Sequence, residues 1–172
     1  MTEDAAGLFN INLVAELLKY NVDGKWNDYV GLQKKIVNVL KKEGYFENNE
    51  VVNRESGMAI RITTKGVKET LGKGKRFQNL PKTIKQLKVA TLRYLPQIIE
   101  NGNVLENRVP NMHGENALFA YIYKNVKIDN TVYGVRIAVK QRIGDNIFWI
   151  HNIDCKEISP ELLDLRSVRI GN

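Results

Sequence analysis

After Gly102 the apolar residues stop recurring every three or four positions and begin to alternate, on either side of two short turn signals. Residues 118–128, 131–142 and 146–155 each read as a strand, with Asp129-Asn130 and Gly144-Asp145 as two-residue hairpin turns. This feature constrains the fold most, because turn length sets register and register decides which side chains share a face. With the first turn at Asp129-Asn130, Ile128 faces Thr131, Val126 faces Tyr133, Lys124 faces Val135 and Ile122 faces Ile137. That face is mostly apolar and is expected to pack on helices. The opposite face pairs Tyr123 with Arg136, Tyr121 with Ala138 and Phe119 with Lys140. The second turn then pairs Val139 with Ile150, Lys140 with Trp149 and Ala138 with His151. His151, in the run IFWIHNI, therefore lands among aromatic and basic residues. A loop one residue longer or shorter would turn it into the core instead.

The first half of the chain has helical spacing. Asn12 can cap a helix through Leu13, Leu17 and Leu18. A second helix fits residues 27–42, with Tyr29, Leu32, Ile36, Val39 and Leu40 on one stripe and Gly44 as its stop. ENNEVVNRESG reads as a polar connection. Residues 1–50 thus form a helical hairpin ahead of a main domain over 51–172. In that domain Met58–Thr63 is a strand with Met58, Ile60 and Ile62 on one face. TTKGVKETLG is a short helix. Pro81 opens a longer helix that Pro96 must end or kink near Tyr94–Leu95, and PQIIEN follows as a last helical piece. Val104–Val109 is a further strand and NMHGEN a loop. The expected class is α+β: N-terminal helices, then an antiparallel meander of about four strands.

The chain has 172 residues, 43% hydrophobic and 26% charged, which is globular composition. No apolar run approaches a membrane span, and MTEDAAGLFN is not a signal peptide. A lone cysteine, Cys155, excludes an intrachain disulfide framework and an all-cysteine zinc site. The net charge of +7 is concentrated. From Arg61 to Arg93 there are ten Lys or Arg and one acid, Glu69. Such a block is the footprint of a polyanion partner, or else a solvated lysine-rich helix face.

Aromatic rings interleaved with cations on a sheet face suit single-stranded nucleic acid, with bases stacking on rings and cations meeting phosphates. Tyr121, Tyr123, Trp149, Arg136 and Lys140 are the candidates, with Lys75 and Arg76 in the basic loop GKGKRFQ. RNA cleavage needs no metal. A base takes the 2′-hydroxyl proton, an acid protonates the leaving oxygen, and cations stabilise the phosphorane. His151 and His113, the two histidines, can supply the proton transfers. There is no P-loop, G-x-S-x-G, H-E-x-x-H or nucleotide fingerprint, so neither metal nor cofactor is expected.

The stretches IRITTKGVKETLG, LPKTIKQLKVATLRYLPQIIENG, NRVPNMHG, FAYIYKNVKIDNTVYGVRIAVK and FWIHNI, in that order over about residues 58–154, carry a family likeness. The region resembles nuclease-like domains of the BECR superfamily (barnase, EndoU, the colicin RNases and RelE), as found in phage polyvalent proteins and bacterial polymorphic toxins. The resemblance implies a compact RNase, with tRNA a frequent substrate and a cognate immunity protein as inhibitor. It also implies action in the cytoplasm after delivery within a larger secreted or phage protein. By position it implies an active set of Lys68 and Glu69 in VKET, His113 in N-M-H and His151 in W-I-H, with Arg136 and Lys140 on the phosphate. Related domains often carry a histidine near the Glu69 position, and this chain does not. The expectation is a metal-independent endoribonuclease. The rivals are a non-catalytic nucleic-acid-binding module, whose binding would weaken with salt, and a phage or inhibitor protein-interaction domain.

Overall fold

The structure, a computed structural model, describes residues 2–3, 8–11, 29–46, 49–71, 79–110, 117–128, 130–142 and 144–158. The expected helix at 13–18, the basic loop with Lys75 and Arg76, and the loop with His113 lie outside the described residues. In chain order the elements are β1 (Thr2–Glu3), β2 (Phe9–Ile11), α1 (Tyr29–Lys42), β3 (Glu50–Val52), β4 (Ala59–Arg61), α2 (Thr64–Leu71), α3 (Lys82–Arg93), α4 (Leu95–Asn101), β5 (Asn103–Pro110), β6 (Ala117–Ile128), β7 (Thr131–Arg142) and β8 (Phe148–Glu157). Among the described residues no helix is long and apolar enough to cross a membrane.

The class is α+β, as the change of period requires, but the sheet is not an antiparallel meander of four strands. It is a mixed sheet ordered β1-β2-β6-β7-β8-β4-β3, with β5 also paired to β6. The antiparallel set β5–β6–β7–β8 is its centre. Onto it, β2 joins β6 in parallel and β4 joins β8 in parallel, while β3 pairs antiparallel with β4. The added strands are two or three residues long, and apart from β4, which lies within the alternating run Met58–Thr63, they are too short to show a pattern. A parallel neighbour also leaves no turn signal in the sequence, because its partner arrives through a long crossover.

The central register follows the sequence reading closely. In β6 and β7, Ile128 opposes Thr131, Ile122 opposes Ile137, Tyr123 opposes Arg136 and Phe119 opposes Lys140. One face of the sheet, including Ile122, Val135, Ile137, Val139, Phe148, Ile150 and Ile153, is buried against the helices. The same core holds Ile36 and Leu40 of α1, Leu87 and Leu92 of α3, and Ile98 and Ile99 of α4. The described residues before position 50 thus share the sheet and core of the rest. Tyr94 separates α3 from α4, where Pro96 interrupts the helical path, and its amide bonds back to Ala90 and Thr91.

Two glycines are required by close approach. A Cβ on Gly66 would meet the Ile150 carbonyl oxygen at 2.6 Å, so only glycine lets α2 lie directly on β8. A Cβ on Gly102 would meet Ile122 Cγ2 at 2.4 Å, so glycine seats the end of α4 on β6. The turn between β3 and β4 is locked by Asn53, which is fully buried. Its Nδ2 donates to the carbonyls of Ile99 (2.7 Å) and Gly102 (2.8 Å). Its Oδ1 accepts from the amide and hydroxyl of Ser56. One side chain thereby joins the β3–β4 turn to the C-terminal end of α4.

Candidate functional site

A cleft of about 440 Å³ opens where α2 meets β8, lined by Thr63, Lys65, Gly66, Glu69, Lys140, Asp145, Trp149, Ile150 and His151. Local sequence explains each wall. Thr63 precedes α2 and its Oγ1 accepts the Gly66 amide at 3.0 Å, an N-terminal cap. With the helix start set there, Lys65, Gly66 and Glu69 fall on one side at spacings of one, three and four residues. On the other wall, Lys140 and Trp149 are cross-strand partners. Gln141, buried, donates to the Asp145 carbonyl and pins the turn between β7 and β8.

His151 is where the structure departs from the expected pairing. Val139 opposes Ile150 as expected, but Ala138 opposes Asn152 rather than His151. His151 is therefore the extra residue of a β-bulge. Bulges twist the strand locally and re-aim a side chain. The bulge leaves His151 on the cleft side without moving Ile150 or Ile153 out of the core. Its side chain is 44% exposed, which excludes the core role that a different turn length would have given. The imidazole is held from two sides. Phe119 meets it edge to face, with centroids 5.4 Å apart and planes at 80°. Glu69 Oε2 lies 3.6 Å from Nδ1, and Glu69 Oε1 lies 3.8 Å from Lys65 Nζ.

Of the residues singled out in the sequence, Glu69, His151, Lys140 and Trp149 come together in this cleft. Lys68 does not line it. It is exposed on α2, and Lys65, which the sequence reading passed over, takes the cleft position. Thr63 and Asp145 were also missed. The cap at Thr63 had a readable signal, a threonine just before a helical stretch. Tyr121 and Tyr123 share the sheet face with Trp149, all half-buried, whereas Phe119 is buried. Arg136 lies over Tyr121 at 5.2 Å and pairs with Asp154 across β7 and β8 at 2.7 Å. That hydrogen bond raises the guanidinium pKa further above its ordinary value, against the opposing cost of burial. Arg136 is thus already matched to an anion. Among its described residues, part of the basic block is similarly partnered: Arg61 bonds Glu50 and lies over Trp149 at 5.4 Å, Arg93 bonds Glu43, and Lys88 donates to the Thr70 carbonyl. Lys140 lines the cleft from its sheet wall, 5.9 Å from the Phe119 ring. Among the described residues no group of three or more His, Cys, Asp or Glu side chains is arranged to hold a metal ion.

Cys155 is on the core face of β8, its thiol beside Thr91 Oγ1 at 3.8 Å. Burial pushes the thiol up to about 12, partly offset by Thr91 and Lys88. At pH 8 iodoacetamide should therefore label it at least roughly tenfold more slowly than a fully exposed cysteine, with normal labelling in urea. Rapid native labelling would contradict the burial. The unfolded thiol ionises near its ordinary 9.0 and the folded one near 12, so the stability this group contributes is complete below the first value. It declines as pH rises through the second.

No curated protein and no solved structure matches the chain. Residues 27–148 match the family described as large polyvalent protein-associated domain 3. The match takes in α1, α2, α3, α4 and the strands from β3 to the start of β8, so it includes Glu69, Lys140 and the cleft's helical wall. On that extent, the chain belongs to the large polyvalent protein-associated domain 3 family.

Proposed function

We propose that the cleft is the active site of a metal-independent endoribonuclease of the BECR type. The observation that carries this reading is a histidine bulged out of a sheet into a cleft, with a carboxylate 3.6 Å from one ring nitrogen and a lysine and a tryptophan on the adjoining wall. These groups match what RNA transesterification needs. The 2′-hydroxyl loses its proton to a base as its oxygen bonds to phosphorus. The phosphorus–O5′ bond breaks, O5′ takes a proton from an acid, and a 2′,3′-cyclic phosphate remains. His151 is one of the two proton-transfer groups, and His113 is proposed as the other. Lys140, with Lys65 at the rim, faces the charge that develops on the phosphorane oxygens. Trp149, Tyr121 and Tyr123 offer rings for base stacking. tRNA is the proposed substrate, and an immunity protein covering the cleft is the proposed inhibitor. Within a large polyvalent phage protein, such a domain would act as an effector after delivery.

The purified protein is expected to cut tRNA or total RNA at discrete sites, equally well in EDTA. Oligonucleotides with 2′-deoxyribose at the cleavage site should stay intact, since they lack the nucleophile. Loss of cutting in EDTA, or cutting of DNA at a similar rate, would rule out the mechanism. Intact RNA bound in a salt-dependent manner would favour a binding module instead.

A further inference from the structure

The two nitrogens of His151 are not equivalent, and the difference rests on the same cleft and on the ribonuclease reading above. Nδ1 faces Glu69 Oε2 at 3.6 Å, in ion-pair range and slightly long for a hydrogen bond. A lone pair on Nδ1 aimed at a carboxylate is repelled, and a proton there is attracted. Contacts of this kind tighten when a substrate closes the site. Phe119 packs at an angle of 80° against the ring, which limits its rotation. The bulge sets the backbone from which the ring projects. Glu69 is itself oriented: its second oxygen is 3.8 Å from Lys65 one helical turn earlier, and Gly66 brings that turn onto β8. Glu69 therefore stands between Lys65 and His151, with one carboxylate oxygen toward each.

We infer that Glu69 is a positioning residue: it holds His151 through Nδ1–H, so that Nε2 is the nitrogen that exchanges the proton with RNA. Glu69 does not reach the reacting atoms on this account. Its effect passes through the imidazole, as for other carboxylate–histidine pairs in which one nitrogen's partner decides the state of the other.

The test is nitrogen-15 NMR of the full chain labelled at histidine, at a pH where the imidazoles are neutral, with His113→Gln to assign the two rings. Wild type and Glu69→Gln should show His151 protonated on Nδ1, because the glutamine carbonyl can still accept. Glu69→Ala should move the proton to Nε2. In RNA cleavage, Glu69→Ala should lower kcat roughly 100-fold and Glu69→Gln roughly tenfold, with KM little changed. A wild-type signal protonated on Nε2, or one unaffected by Glu69→Ala, overturns the inference. So does an equal kcat loss in both variants with the tautomer unchanged, which would make Glu69 a proton-transfer group in its own right. If the wild-type protein cuts no RNA, the ribonuclease reading fails. The tautomer signal still decides whether Glu69 holds Nδ1.

Discussion

His151→Ala is expected to lower RNA cleavage by at least about a thousandfold while the protein stays folded. Losing a group that moves a proton in the transition state typically removes 10² to 10⁴ of rate. Phosphoryl chemistry at a poor leaving group such as O5′ places the loss toward the upper part of that range. The fold should tolerate the change because the side chain is 44% exposed and is the extra residue of a bulge, outside the ladder pairs on either side. What disappears structurally is one edge-to-face contact with Phe119 and one half-exposed polar contact with Glu69, together about 1 kcal/mol. The measurement is kcat on tRNA beside a thermal melt. Normal cleavage by a folded His151→Ala protein would remove His151 from the mechanism. Lys68→Ala makes a useful companion: Lys68 stands on the same short helix but does not line the cleft, so it should retain most activity.

Asn53→Ala is expected to be the more damaging change to stability, at about 3 kcal/mol. The alanine would leave the carbonyls of Ile99 and Gly102 without the Nδ2 donor, at a helix end where carbonyls have no partner within the helix. Ser56 would lose its acceptor for both amide and hydroxyl. The two carbonyls cannot easily recover their bonds from water, since Asn53, Ile99 and Gly102 are all buried, whereas the exposed Ser56 can. For a domain of this size the loss corresponds to a fall in Tm of about 6–12 °C. Asn53→Asp should be at least as destabilising, because it keeps the shape, removes both donors and points a carboxylate at two carbonyl oxygens. A melt of Asn53→Ala indistinguishable from wild type would show that the β3–β4 turn is held by its backbone bonds alone. A lower Tm with intact cleavage well below it would show that this knot supports the fold without touching the cleft.

The sequence by itself determined what depends on neighbours along the chain. Two-residue turns between alternating runs determined the β6–β7 register residue by residue, and with it the apolar face that meets the helices. Proline and glycine marked where α3 gives way to α4 and where α4 ends. The apolar stripe of α1 was legible, though not what it covers. The strand at Met58–Thr63 was legible too, but not its parallel partner, because Ile60 meets Phe148 through a crossover that no local pattern records.

Tertiary structure alone decided the cleft. His151 was readable as a residue near the aromatic and basic face, yet the bulge that projects it is one extra residue in a ladder whose partner strand shows no irregular spacing. The choice of Lys65 over Lys68 depends on how α2 is rotated, and that is set by Gly66 against the Ile150 carbonyl, a contact between segments far apart in the chain. Cations counted as a basic block proved to be partly matched by Glu50 and Glu43, acids that lie outside it in sequence. Periodicity reports the direction in which a side chain leaves its own backbone. What it meets there depends on the packing of other elements, and the pairing of Glu69 with His151 is a product of that packing.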